Sequence, residues 1–177
     1  MITRSSRLSL PLACAALCLL AAAPTRAADA KIGQQASSGG LVVMQIATTD
    51  PDKLMASWGQ EAEGVRIESA NVMKRNQPIA TFLMFSGCRP NNDGACNVTA
   101  DFETRGPTGA VYDKHAGVKV WVDRQAPPAK SIGLSEGGLG LRIEDRDALG
   151  PYVVTATIVD HNSGVTVQTT QTLTAVQ

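Results

Sequence analysis

The chain has 177 residues, and its 16 basic and 16 acidic side chains give a formal net charge of zero. No run of lysine and arginine exceeds two residues, which excludes a surface basic enough to hold a nucleic acid backbone. Only two histidines are present, too few for a copper or zinc centre built from clustered imidazoles, and no cofactor is predicted.

The first 30 residues have the three zones of a secretory signal peptide. Arg4 and Arg7 precede an uncharged stretch rich in leucine and alanine, and small residues follow, so cleavage is expected after Ala27 or Ala30. The apolar stretch is shorter than the ~20 residues of a membrane-spanning helix and contains Pro11, which argues against a stable membrane anchor. Cleavage of the 30-residue leader removes three basic residues and one acidic residue, so the mature chain has a net charge of −2.

Cysteine usage fits an exported protein. Cys14 and Cys18 leave with the leader, whereas Cys88 and Cys96 remain as an even pair for an oxidising compartment. The stretch between them is rich in turn-forming residues, so the pair is predicted to form a disulfide worth about 2–3 kcal/mol by the chain-entropy estimate. A metal site would need further ligands, and no histidine lies nearby in the sequence. The expected location is the bacterial periplasm or the cell exterior.

The mature chain is predicted to begin with a flexible tail. Residues 31–40 are polar and end in Ser-Ser-Gly-Gly, and a single domain is expected over residues 41–177. The domain opens with a short apolar run of strand length at 41–47.

One short helix is predicted near the start of this domain. Asp50 can cap it, Pro51 suits its first position, and Gly59 can end it. A helix of about two turns is not stable alone in water. It is therefore expected to lie on the main body as a lid or edge cover. Its apolar stripe consists of Leu54, Met55 and Trp58.

From Val65 onward the hydrophobic period changes to two, which indicates half-buried antiparallel strands. Residues 97–103 alternate polar and apolar side chains, whereas residues 79–85 are apolar on both faces and are expected at the centre. Turns rich in Gly, Pro, Asn and Asp separate seven to nine short strands. The pattern predicts an all-β fold, an antiparallel Greek-key sandwich with one N-terminal helix.

One turn resembles the tyrosine corner of immunoglobulin-like and fibronectin type III-like domains. Asp147 begins the turn, Gly150 ends it, and Tyr152 opens the next predicted strand. By that resemblance the Tyr152 hydroxyl would bond to a backbone group a few residues upstream and lock the crossover. The chain departs from antibody domains at Val154, where their second core cysteine would stand.

The chain is also similar to uncharacterised exported proteobacterial proteins with a Gly-Cys…Gly-x-Cys loop and a Leu-Gly-x-Tyr turn. That likeness implies a periplasmic location and leaves the activity open. The matching residues are Gly87-Cys88, Gly94-Ala95-Cys96 and Leu149-Gly150-Pro151-Tyr152.

Residues 133–137 have the Gly-x-Ser-x-Gly spacing of a hydrolase nucleophile elbow, with Ser135 in the place of the nucleophile. Asp147 or Asp160 and then His161 follow in the order of such a triad. The elbow needs a strand before it and a helix after it, but proline-rich chain precedes this segment and glycine-rich chain follows. An ordinary polar loop is therefore predicted, with no catalytic residue, and the protein is not expected to be an enzyme.

The region 91–101 is a second candidate for chemistry because Asn91, Asp93 and Asp101 carry oxygen ligands. The spacing does not match a calcium-binding EF-hand loop, which needs acidic ligands where Cys88 and Arg89 stand. Turn formation inside the disulfide loop explains these residues better. No metal site is assigned, and a cation bound here remains an alternative.

Three aromatic residues are the candidate binding surface: Trp58, Tyr112 and Trp121. In an extended strand the side chain of Trp121 would point to the face opposite that of Val118, Val120 and Val122. It is therefore expected to point outward or to lie beneath the short helix, and the second arrangement is favoured.

These features predict a non-catalytic periplasmic binding or accessory module that contacts another exported protein through sheet edges or loops. The alternative is a periplasmic protein that binds a small ligand or a metal. The oligomeric state is not indicated by the sequence.

Overall fold

The computed structural model describes residues 33–58 and 67–177. The predicted signal peptide and the predicted helix end at Gly59 lie outside the described residues. Within them the elements are β1 (Ala36–Ser38), β2 (Leu41–Thr48), α1 (Pro51–Ser57), β3 (Val72–Lys74), β4 (Ile79–Ser86), β5 (Ala95–Arg105), β6 (Val111–Gln125), β7 (Gly133–Leu134), β8 (Leu139–Leu141), β9 (Gly150–Asp160) and β10 (Val165–Val176).

The strands form two five-stranded sheets packed as a sandwich. Sheet A has the order β1-β2-β4-β7, with β8 also paired to β4, and sheet B has the order β3-β10-β9-β5-β6. Neighbours are antiparallel except β3, which runs parallel to β10. In sheet B, β5, β9 and β10 take the places of strands C, F and G of an immunoglobulin-like sandwich. The predicted fold class is therefore confirmed. The described strands number ten because β1, β3, β7 and β8 are short pieces of two or three residues.

The segment predicted as a flexible tail is partly built into the sandwich. Residues 36–38 form β1 on the edge of β2, and the Gly33 amide donates to Gln45 O at 3.0 Å. The Gln34 amide donates to Thr170 O of β10 at 3.4 Å. The prediction for 31–40 is corrected for its described part, because backbone groups pair there with both sheets although the side chains are polar.

The main core fills the space between the sheets. Strict alternation along β9 and β10 turns every second side chain inward, and Tyr152, Ile158 and Leu173 are almost fully buried there. Phe85 of β4 meets them from sheet A. Burying a side chain of this size stabilises the fold by about 1.5–3 kcal/mol, so the alternation that was visible in the sequence explains how the two sheets hold together.

Helix α1 covers the outer face of sheet A. The Asp50 side chain accepts from the Lys53 amide at 3.0 Å, as its predicted capping role requires, and Pro51 opens the helix. Its buried residue Leu54 packs on the cluster Ile46, Phe82, Met84 and Leu134. This second cluster explains why β4 is apolar on both faces. At seven residues α1 is far too short to span a bilayer, and the described residues contain no other helix that could.

Trp121 does not lie beneath α1, and that prediction is wrong. A register shift between β5 and β6 leaves Val120 without an opposite residue, because Lys119 pairs with Thr99 while Trp121 pairs with Val98. A bulge of this kind re-aims the side chains around it. Val120 and Trp121 therefore both pack against the main core, although they are adjacent in the chain.

Candidate binding groove

An open groove lies between α1 and the C-terminal half of β6. Its volume is about 700 Å³, and we call it the Trp58–Trp121 groove. Residues 126–128 and 131–136, which lead from β6 past β7, complete its lining. The side chains that define its chemical character are Met55, Trp58, Trp121, Arg124, Ile132 and Glu136.

Trp121 forms a fixed wall of this groove. Its ring meets Phe85 edge to face at 5.4 Å between centroids, and its Nε1 donates to Gln125 O at 2.9 Å. The Arg124 guanidinium lies 3.8 Å from the ring centroid, within the range of a cation–π contact, and donates to Glu136 at 2.8 Å. The polar edge of Trp121 and the charge of Arg124 are thus both engaged within the chain, and the guanidinium covers one face of the ring.

The opposite side of the groove comes from α1 and from the segment before β7. Trp58 is the C-cap of α1 and packs partly against the outer cluster of sheet A. Met55 is 45% exposed and Ile132 is 55% exposed, the highest value among the large hydrophobic residues described. A groove that leaves such side chains in solvent has apolar surface available to bind a ligand or a partner.

Ser135 lies at the floor of the groove, where its hydroxyl is bonded to the backbone. It is fully buried, its amide donates to Leu83 O at 2.8 Å, and its Oγ accepts from the Leu83 amide at 3.0 Å. The same hydroxyl donates to Gly137 O at 2.6 Å. Part of the segment predicted as a loop is thus β7. Within the Gly-x-Ser-x-Gly segment, the hydrogen bonds of Ser135 hold the backbone of this segment to Leu83 of β4, and we call this arrangement the Ser135 clamp.

The clamp also joins the two sheets. The Glu136 amide donates to Val120 O at 3.1 Å, and the Gly137 amide donates to Lys119 O at 2.9 Å. A Cβ on Gly138 would lie 2.5 Å from Thr81 O, so this crossing needs glycine. The chain therefore passes from sheet A to the edge of sheet B immediately beside the groove.

Tyr112 lies away from the two tryptophans. It is nine residues before Trp121 on the same strand, a separation of roughly 30 Å at the rise of an extended chain. Its ring packs edge to face on Tyr152 at 5.2 Å, and its hydroxyl donates to Asp147 at 2.7 Å. The structure thus brings together Trp58 and Trp121 of the three candidate residues, and Tyr112 belongs to a different part of the surface.

The turn at 147–152 has the hydrogen bond of a tyrosine corner. Tyr152 donates to Ala148 O at 2.8 Å, and Gly150 adopts a φ of 127°. Hydrogen bonds from the Glu144 amide and the Tyr112 hydroxyl lower the pKa of Asp147. Burial and the neighbouring Asp147 carboxylate raise the pKa of Tyr112 above its usual value. These groups support the crossover, and Tyr112, Asp147 and Tyr152 also line a small open cavity of about 190 Å³.

The disulfide is present between Cys88 and Cys96. Inside its loop Asn91 Oδ1 accepts from the Asp93 and Ala95 amides, which is turn chemistry. Asp101 lies six residues along β5 and accepts from the Gly117 amide at 2.7 Å, so it does not join Asn91 around a common point. In the described residues no three His, Cys, Asp or Glu side chains are grouped as a metal site.

A second cavity, of about 460 Å³, lies on the outer face of sheet B. Two of its charged residues pair with each other, because Glu103 contacts Lys114 at 2.7 Å, and Glu103 also contacts Arg105, outside the lining, at 2.6 Å. The hydrogen bond from Lys114 and the charge of Arg105 lower the pKa of Glu103. With Lys114 engaged and no tryptophan in its lining, this surface is a weaker candidate than the Trp58–Trp121 groove.

The sequence indicated the two tryptophans and missed Arg124, Glu136 and Ile132. The nearness of Arg124 to Trp121, three residues apart in the sequence, was the one local signal that could have indicated their contact. Glu136 and Ile132 lie in a stretch whose composition is typical of a connection, and only the crossing between the sheets places them at the groove.

No family model matches the chain, and no curated protein matches it. Among solved structures, the chain is similar to a Niemann-Pick type C2 protein from the Japanese carpenter ant. The two share 7% identical residues over 84% of this chain and 96% of that chain, with a TM-score of 0.40.

Proposed function

We propose that the protein is a non-catalytic binding module of the periplasm that holds part of another exported protein in the Trp58–Trp121 groove. The observation that carries this proposal is the joining of two indole rings and the exposed Ile132 and Met55 side chains in one open groove. Aromatic residues and methionine are enriched at protein interfaces, where large apolar side chains supply most of the binding energy.

The engagement of Ser135 also favours binding over catalysis. Its hydroxyl lies between Leu83 N and Gly137 O inside the protein, so the hydrolase alternative loses its nucleophile. The Cys88–Cys96 disulfide supports an oxidising compartment, as export by the predicted leader requires.

Photo-crosslinking in cells tests the proposal directly. A benzophenone amino acid replaces Ile132 in the groove, and in a matched control it replaces Val72, which is 46% exposed on β3 at the opposite edge of sheet B. We expect a discrete crosslinked protein from position 132 and none from position 72. Equal background from both positions would contradict the proposal.

A small apolar ligand is the second candidate, because about 700 Å³ lies within the usual range of small-molecule pockets. Native mass spectrometry of protein taken from the periplasm separates the two candidates. A retained mass that disappears in a Trp121→Ala variant supports the small ligand, and a bare protein mass counts against it.

A further inference from the structure

The Trp58–Trp121 groove is bordered by the edge of a sheet as well as by apolar side chains. β7 is the outer strand of sheet A along the path β1-β2-β4-β7, and in the described residues it pairs with β4 alone. An edge strand presents a row of backbone N–H and C=O groups that another extended chain can pair with.

The direction of these groups follows from the pairing. Ser135 donates its amide to Leu83 O, so residues of the same parity in this segment face β4. Backbone groups of Ile132 and Leu134 therefore point to the other side, towards β6. Glu136 alternates in the same way as Ile132 and Leu134, and its amide donates to Val120 O of β6. This bond shows that the outward side of the segment faces β6.

The two strands separate beyond that contact. Continuing the antiparallel course from Glu136 and Val120 would place Ile132 beside Arg124, and both line the groove. β6 and β7 nevertheless belong to different sheets and form no ladder in the described part of the chain. The groove is thus a split between two strands that are joined at its inner end.

The side chains around the split define what can enter it. Ile132 and Met55 offer exposed aliphatic surface. Trp121 offers a ring whose Nε1 is already bonded and one face of which is covered by Arg124. Arg124 and Glu136 pair with each other at 2.8 Å, so the groove presents balanced charge. An uncharged segment with aliphatic side chains complements this surface.

We propose, building on the proposed function, that the groove takes an extended, uncharged segment of a partner protein as an added strand on the edge of β7. The outward N–H and C=O groups of Ile132 and Leu134 pair with its backbone. Its side chains pack alternately towards Trp121 and towards Met55 and Trp58. Backbone pairing supplies affinity in this mode of recognition, and the flanking side-chain pockets supply selectivity.

The test uses the mature protein and a phage-displayed library of random heptapeptides as the probe. Selected peptides are synthesised, and their affinity is measured for the native protein, for Ile132→Asp and for the matched control Val72→Asp. Each selected peptide is then N-methylated at one amide at a time. We expect at least a tenfold loss of affinity in Ile132→Asp, little change in Val72→Asp, and loss on N-methylation at alternate positions only. Hydrogen exchange of the Ile132 amide should slow at least tenfold in the complex.

The outcomes separate this inference from the function on which it rests. Peptides that depend on Ile132 but tolerate N-methylation at every position would overturn strand addition and leave the groove as a binding site. Peptides with no dependence on Ile132 would overturn the inference and count against the groove itself. If Ile132→Asp does not fold, the N-methylation series and hydrogen exchange on the native protein decide the question.

Discussion

At the scale of single residues, two side chains of types that often act in catalysis are hydrogen-bonded to backbone groups. Ser135 bonds to both Leu83 and Gly137, and Asp160, only 1% exposed, accepts from the Arg89 amide at 2.8 Å. A buried polar group must be hydrogen-bonded or it costs stability. In this sandwich those bonds hold loops onto strands, so residue type and spacing alone do not report chemistry here.

Replacing Ser135 with alanine should therefore destabilise the fold. The change leaves Leu83 N and Gly137 O without their side-chain partner, and the expected loss is about 2–4 kcal/mol for two buried groups. Urea unfolding followed by tryptophan fluorescence measures it. Ser131→Ala is the matched control, because its hydroxyl bonds to Pro128 O at an exposed site. Equal stability of the two variants would contradict the clamp.

Asp147 gives a prediction for acid pH. Its folded pKa is lowered by the Glu144 amide and the Tyr112 hydroxyl, so its contribution to stability is complete above the ordinary carboxyl pKa of about 3.9. That contribution is lost as the pH falls through the lowered folded pKa. We expect Tyr112→Phe to reduce this acid dependence while keeping the ring contact with Tyr152. Unfolding midpoints measured from roughly pH 2 to roughly pH 6 would check it, and an unchanged profile would contradict the assignment.

At the scale of elements, helix α1 depends on its cap because it is short and is buried mainly through Leu54. Asp50→Ala removes the acceptor for Lys53 N and should lower the free energy of unfolding by about 1 kcal/mol. Asp50→Asn keeps an acceptor and is the control. Because α1 carries Met55 and Trp58, affinity for groove ligands should fall in Asp50→Ala and be retained in Asp50→Asn. Equal affinity would show that the helix does not shape the groove.

The elements also show how far the sequence predicts the structure. Alternation in β5, β9 and β10 and the capping signals of α1 are local, so they are readable from the chain. Strand β6 is different, because its bulge at Val120 depends on pairing with β5, and that bulge turns Trp121 onto the core. The groove follows from the crossing of residues 135–137 between two sheets. No local pattern encodes that meeting, although Trp58 and Trp121 were each identifiable.

At the scale of the whole molecule, one end of sheet B is held by covalent and polar links together. The Cys88–Cys96 loop is joined to the turn between β9 and β10, where Asn162 Nδ2 donates to Arg89 O at 2.8 Å and to Ala95 O at 3.0 Å. Asp160 adds its bond to the Arg89 amide. The loop thus has native contacts that do not depend on the disulfide.

Removing the disulfide should therefore weaken the fold without changing it. Closing so short a loop restricts the unfolded chain, and the double variant Cys88→Ser with Cys96→Ser should lose about 2–3 kcal/mol of stability. Asn162→Ala in the oxidised protein is the companion variant, because it removes the polar link and keeps the covalent one. Chemical denaturation gives the free energies, and the amide NMR spectrum reports whether β5 and β9 stay paired. A double variant with no folded spectrum would show that the disulfide organises this end of the sheet, rather than reinforcing contacts that Asp160 and Asn162 already make.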